Sequence, residues 1–231
     1  MNGATPRFLR IIPLTIFLLN VLACPAFSED IRTLIKEAEG GNPEVQFNLG
    51  VAYERGQGVP QDYAESMKWY RMAADQGLAQ AQCNLGIAYE RGQGVPQDNA
   101  ESMKWYRMAA GQGLAEAQYN LGVAYYNGQG VSKDYAESMK WYRMAADQGH
   151  AGAQCILGIS YSDGQGVPQD YLLAYFWTSL ASKSNTCGSD NRGANYFYMD
   201  YAANAARQLT PEQLTKAQEM IRDWEAKHPR K

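Results

Sequence analysis

Residues 43–78 read PEVQFNLGVAYERGQGVPQDYAESMKWYRMAADQGL, and residues 79–114 repeat that stretch with 29 of 36 positions identical. Residues 115–150 are a third copy; a fourth, 151–186, begins faithfully and departs after Asp170. Self-similarity at a fixed period is the signature of a repeat architecture and takes precedence over local signals. In the second copy, Ala81, Leu85, Ala88 and Tyr89 fall on one stripe at helical spacing, predicting a helix from Ala79 to about Arg91. Gly86 sits beside the stripe, where a missing side chain lets a second helix approach, at a cost of about 1 kcal/mol in propensity. Gly92 is a left-handed stop, Val95 a plug for the turn, and Asp98 the cap of a second helix from Asn99 to about Gln112. Ala100, Met103, Tyr106 and Ala110 line that helix, with Trp105 and Ala109 alongside. Such a hairpin leaves apolar surface bare when alone, so the copies must stack.

Working outward, Asp30 to Glu39 reads as a short helix stopped by Gly40-Gly41, resembling the tail half of a repeat placed to cover the first full one. After the fourth copy, Ser182 to Asn195 is loop-like and Tyr196 to Gln208 helical. Thr210-Pro211-Glu212-Gln213 is a start signal for a last helix running to about Ala226, burying Leu214, Ala217, Met220, Ile221 and Trp224. The expected organisation is a signal peptide over 1–28, a capping helix in 29–42, four repeats over 43–186 and a helical cap over 187–231.

Arg7 and Arg10 precede an apolar run of 12 residues, Ile11 to Leu22. A membrane span needs roughly 20 residues, so the run fits a secretory signal peptide instead. Two endings compete. Ala26-Phe27-Ser28 offers small residues at alternate positions, with cleavage before Glu29, whereas Val21-Leu22-Ala23-Cys24 resembles a lipoprotein box that would anchor the chain to a membrane through Cys24. Secretion or periplasmic residence is the expectation, with a lipoprotein anchored at Cys24 as the alternative. The chain has 231 residues, 45% of them hydrophobic, with a net charge of -3 and no run of Lys and Arg, which argues against nucleic acid or an anionic membrane as partner.

The spaced motif Ala-x-Ala-Gln-x-x-Leu-Gly-x-x-Tyr, then Gly-x-Gly-Val-x-x-Asp, then Trp-Tyr-x-x-Ala-Ala-x-x-Gly resembles the Sel-one-like repeat (SLR), a relative of the tetratricopeptide repeat, over residues 43–182. Ser66, Ser102 and Ser138 stand where that family usually has Ala, and Met72, Met108 and Met144 where Lys is common. The resemblance implies an all-α, right-handed superhelical solenoid of stacked helical hairpins, used as a protein-binding scaffold and often exported from bacteria.

The chain holds few residues from which a catalytic constellation could be built. His150 lies between copies, where it reads as a solvated loop residue, and His228 lies in the tail; neither has ligands at metal spacing. The Gly-Gln-Gly turns lack the strand–helix setting of a dinucleotide site. Ser189-Asp190-Asn191 spells one motif of the serine β-lactamases, and some secreted SLR proteins have been described as binding penicillin-like compounds. The accompanying Ser-x-x-Lys and Lys-Thr-Gly are absent. The expectation is therefore no enzyme, no cofactor and no metal, with an enzyme or binder acting on penicillin-like or cell-wall compounds, or a structural spacer, as the alternatives. Met72, Met108 and Met144 are expected to pack between helices, and Glu65, Glu101 and Glu137 to pair with nearby lysines on a solvated face. Cys83 and Cys155 occupy the same place two copies apart, roughly 20 Å in a stack of helices, far beyond the roughly 7 Å limit for a disulfide. Cys155 with Cys187 is the pairing left open, beside the reading of both as small buried apolar residues.

The copies differ where a partner would be read. Numbering each from its first residue, places 2, 5, 9, 12 and 13 of the first helix vary and fall mostly opposite the Ala-Leu-Tyr stripe. In tetratricopeptide proteins that face lines the inner groove. The first copy offers Glu44, Phe47, Val51, Glu54 and Arg55; the second Gln80, Cys83, Ile87, Glu90 and Arg91. The third offers Glu116, Tyr119, Val123, Tyr126 and Asn127, and the fourth Gly152, Cys155, Ile159, Ser162 and Asp163. Aromatic and aliphatic groups flanked by acids suit an extended peptide or a helix in a groove, of unnamed identity. Asn48, Asn84 and Asn120 recur without lysines on the same helices, which argues against a clamp for a C-terminal carboxylate.

Overall fold

The computed structural model describes residues 29–183 and 194–229, and among these the chain forms eleven α-helices and no strand. A leading helix, α1 (Glu29–Glu39), precedes four hairpins: α2 (Pro43–Arg55) with α3 (Tyr63–Asp75), α4 (Ala79–Arg91) with α5 (Asn99–Gly111), α6 (Ala115–Asn127) with α7 (Tyr135–Asp147), and α8 (Ala151–Asp163) with α9 (Tyr171–Ser182). Then follow α10 (Ala194–Arg207) and α11 (Pro211–Lys227). The result is an all-α solenoid of stacked helical hairpins.

Local sequence sets each hairpin's boundaries. Asp62, Asp98, Asp134 and Asp170 cap the second helices, their carboxylates accepting backbone N–H groups that the first turn leaves unpaired. Gly92 ends α4 at φ 66°, a left-handed conformation open to glycine and strained for most side chains. Thr210 and Gln213 form the reciprocal capping box read from the sequence of α11.

Within a hairpin, the two helices touch where glycine has no side chain. A Cβ on Gly86 would lie 2.5 Å from the ring of Tyr106; Gly50 and Gly122 face Tyr70 and Tyr142 in the same way. Between hairpins the contact is partly polar. Gln82 is buried, donates to the carbonyl of Ala74 at 3.1 Å, and accepts from Gln112 at 2.8 Å. Gln46, Gln118 and Gln154 donate to Ala38, Ala110 and Ala146 in turn. Because Ala38 belongs to α1, the leading helix docks as the second helix of a preceding unit would. Apolar packing is divided into successive clusters, each shared by neighbouring hairpins, as expected of a quasi-linear repeat. Arg71 and Arg143 lay their guanidinium groups over Trp105 and Trp177 of the following copies at 4.7 and 4.9 Å. At the far end α11 lies against α9, burying Ala217 and Ile221, with Leu214, Met220 and Trp224 only half-buried.

Three sequence expectations are corrected here. Met72, Met108 and Met144 do not pack between helices: they are 39%, 49% and 47% exposed, whereas Met67, Met103 and Met139 five residues earlier fill the core. His150 is not a solvated loop residue. It is half-buried and caps α8, its Nδ1 accepting from the backbone N–H of Ala153 at 3.2 Å. Cys155 is buried and disulfide-bonded, so it is more than a small apolar filler; Cys187, the pairing left open above, lies outside the described residues. Cys83 is a free, buried thiol. Ser189-Asp190-Asn191, the signal segment and Cys24 also lie outside the described residues.

Candidate functional site

The varying face of the first helices is built on the buried stripe beneath it. In α4, Ala81, Gln82, Leu85, Gly86 and Ala88 are sealed against neighbours, which turns Gln80, Ile87, Glu90 and Arg91 outward to different degrees. Glu44, Gln80, Arg91 and Glu116 are exposed, whereas Phe47, Val51, Glu54, Ile87, Glu90, Tyr119, Val123 and Tyr126 are half-buried. They recur at matching places because the copies keep one register. The half-buried apolar members also pack on successive core clusters: Phe47 and Val51 on one, Ile87 on the next, and Tyr119, Val123 and Tyr126 on the last. Cys83, Cys155 and Ser162, which share the face by place number, are buried and offer nothing to a partner.

The half-buried members are held from below by the second helices. Phe47 meets the ring of Tyr70 at 5.6 Å. Tyr119 lies 5.6 Å from Tyr142 and stacks on His150 at 4.5 Å. Tyr126 turns its ring edge-on to Tyr135 at 5.1 Å, and its hydroxyl donates to Gln165 of the next turn at 3.0 Å. The rings are thus fixed in orientation with one side toward solvent.

Carboxylates are fixed as well. The hydroxyl of Tyr70 donates to Glu54 at 2.5 Å, and that of Tyr106 to Glu90 at 2.6 Å. Burial first, and then these bonds, push both phenols far above their usual pKa, so each remains a donor. In the third copy Tyr126 takes the glutamate's place, and Tyr142 has the Tyr119 ring beside it instead. Glu116 accepts from Nε2 of His150 at 3.0 Å, which holds its carboxyl below the ordinary range against the opposing effect of burial. Since Nδ1 of that ring already accepts from Ala153, the proton sits on Nε2.

Sequence patterning finds Glu54, Glu90 and the aromatic members but not Tyr70, Tyr106 or His150, which hold them from beneath or beside. The only signal is a glutamate and a tyrosine 16 residues apart in the first two copies; the third keeps the tyrosine as Tyr142 and loses the glutamate. Among the described residues no group of three His, Cys, Asp or Glu side chains could hold a metal, and no helix is long and apolar enough to cross a membrane. The arrangement holds rings and carboxylates in fixed orientations.

Comparison with known proteins follows the same periodicity. The model of the Sel1 repeat matches residues 43–78, 79–114, 115–150 and 151–185. Among solved structures, a protective antigen of uropathogenic Escherichia coli strains displaying an SLR fold is 37% identical, with a TM-score of 0.65. The match covers 76% of this chain and 41% of that one, so this chain spans about two fifths of the antigen's length. A Sel1 repeat protein from Oxalobacter formigenes is 31% identical at a TM-score of 0.64, covering 74% of this chain and 75% of that one. No curated protein matches significantly.

Proposed function

This chain belongs to the Sel1 repeat family, and on that footing we propose that it is an exported scaffold that binds a peptide or protein partner along the inner face of its first helices. Sel1 repeat proteins are generally protein–protein interaction scaffolds and are typically non-catalytic. One observation carries the finer reading. In the first three hairpins, apolar or aromatic side chains stand half-exposed at matching places, Phe47, Val51, Ile87, Tyr119, Val123 and Tyr126, in orientations set by the helices beneath. Anchors already ordered before binding lose little conformational entropy on contact, which favours affinity.

Export rests on the basic-then-apolar start of the chain and places the partner in the periplasm or outside the cell. The test is retention of a partner from periplasmic and culture fractions by the immobilised mature chain and by its Phe47→Ala/Tyr119→Ala/Tyr126→Ala variant. Specific capture by the former and loss by the latter, with helical content unchanged, is the expected result. Equal capture by both would refute the assigned face. Failure of wild type to retain anything would favour a structural spacer.

A further inference from the structure

Two glutamates on this face differ from the others in their surroundings. Glu65, Glu101 and Glu137 each meet a lysine three residues on, Glu116 meets His150, and Glu225 meets Lys183. Glu54 and Glu90 meet no cation among the described residues; each has instead a tyrosine hydroxyl aimed at one oxygen. Arg55 and Arg91, adjacent in sequence, point about 100° away around their helices. They are exposed and make no ion pair with these glutamates. A partly desolvated carboxylate with acceptor sites to spare is stabilised by an incoming cation more than a fully hydrated one is.

The space beside Glu54 limits what that cation can be. A crevice of about 30 Å³ opens between the first two hairpins, lined by Glu54 with Ser66, Tyr70 and Asn84 among its polar groups and Met67 and Ile87 among its apolar ones. That volume admits one small, water-sized group. A primary ammonium fits, whereas the planar guanidinium of arginine is larger and presents a fork. Met67 and Ile87 in its lining suit the methylene next to the ammonium, with the rest of a lysine stem outside. One hairpin further on, Glu90 and Tyr106 repeat the pair, about 10 Å away, and in the third hairpin the aromatic Tyr126 stands in the glutamate's place.

From this we infer that the partner presents lysine: two ammonium groups one hairpin apart, at Glu54 and Glu90, followed by an apolar residue against Tyr119 and Tyr126. The inference rests on the scaffold reading and adds the partner's chemistry to it. In a polyproline II segment three residues make one turn and rise about 9 Å, so two lysines three residues apart share one face at about that distance.

The test uses a fluorescent, N-acetylated peptide with two lysines at that spacing followed by two leucines, together with twins carrying arginine or Nε-acetyllysine instead. Binding to the mature chain is read by anisotropy at low salt. The lysine peptide is expected to bind at least about tenfold more tightly than the acetyllysine twin, and more tightly than the arginine one. Glu54→Gln/Glu90→Gln removes that preference, while Glu65→Gln/Glu101→Gln, the same change in net charge on the second helices, retains it. Equal binding of the lysine and acetyllysine peptides, or an equal loss in the second pair of variants, overturns the inference. So does no binding of the lysine peptide up to millimolar concentration. The aromatic variant's capture experiment reads the scaffold proposal separately, since its outcome turns on Phe47, Tyr119 and Tyr126 and not on Glu54 or Glu90.

Discussion

Exchanging glycine for alanine at two places in one hairpin should have opposite effects on stability. At Gly86, in the middle of α4, a new Cβ would sit 2.5 Å from Cδ1 and Cε1 of Tyr106, where ordinary contact begins near 3.4 Å. The ring must move by most of an ångström, yet Tyr106 is buried and tied to Glu90 at 2.6 Å. Overpacking of this kind costs about 1–3 kcal/mol, and loosening a hydrogen bond to a carboxylate adds about 1.5 kcal/mol. The better helix propensity of alanine returns about 1 kcal/mol. The expected net loss for Gly86→Ala is about 2 kcal/mol, or a fall in Tm of about 4–8 °C for a chain of this size. At Gly111, the last residue of α5, nothing lies within 4 Å of a new Cβ. There only the propensity acts, weakened at a helix end, and Gly111→Ala should stabilise by about 0.5 kcal/mol. The measurement is thermal and urea unfolding followed by circular dichroism, with midpoints compared directly because long repeat arrays can lose two-state behaviour. A Gly86→Ala protein as stable as wild type would refute the claim that the close approach of glycine to tyrosine holds the first three hairpins together.

Other consequences follow from the same contacts. Gln82→Leu keeps the volume but leaves the Ala74 carbonyl and the Gln112 amide without their partner, so a loss of about 2 kcal/mol is expected in urea unfolding, against under about 1 kcal/mol for the exposed Gln112→Ala. Burial pushes the Cys83 thiol up to about 12, so at pH 8 a thiol-exchange reagent should leave it unmodified in the native chain and titrate it after unfolding. Brief treatment with hydrogen peroxide should oxidise Met72, Met108 and Met144 well before Met67, Met103 and Met139, as read by peptide mass mapping. Uniform oxidation of all six would mean that the second helices do not present the faces described.

The candidate face was only partly legible in the chain. Places 2, 5, 9 and 12 could be grouped because about 100° per residue fixes which side chains share a helix face. Whether a face is free or covered is another matter, since it depends on the neighbouring hairpin. Thus Cys83 falls among these places yet is sealed by the next first helix, with Asn120 donating to its sulfur at 3.8 Å. Met72 failed in the opposite direction. Its apolar character suggested burial, but it lies two residues past Tyr70, about 200° around α3, on the side that no hairpin reaches.

What the sequence by itself determined is whatever acts over a few residues or repeats with a period: the 36-residue unit, the helices and their Asp caps, the left-handed glycine stops and the capping box of α11. These are set by backbone sterics and local hydrogen bonding, so spacing alone reveals them. Only the tertiary structure decided that Tyr70 reaches Glu54, that Gln112 completes Gln82, and that His150 caps α8 while holding Glu116. Those partners lie 16, 30 and 34 residues apart and meet only where helices pack. Their pairing is a property of how the helices settle against one another, and no local preference of the chain encodes it.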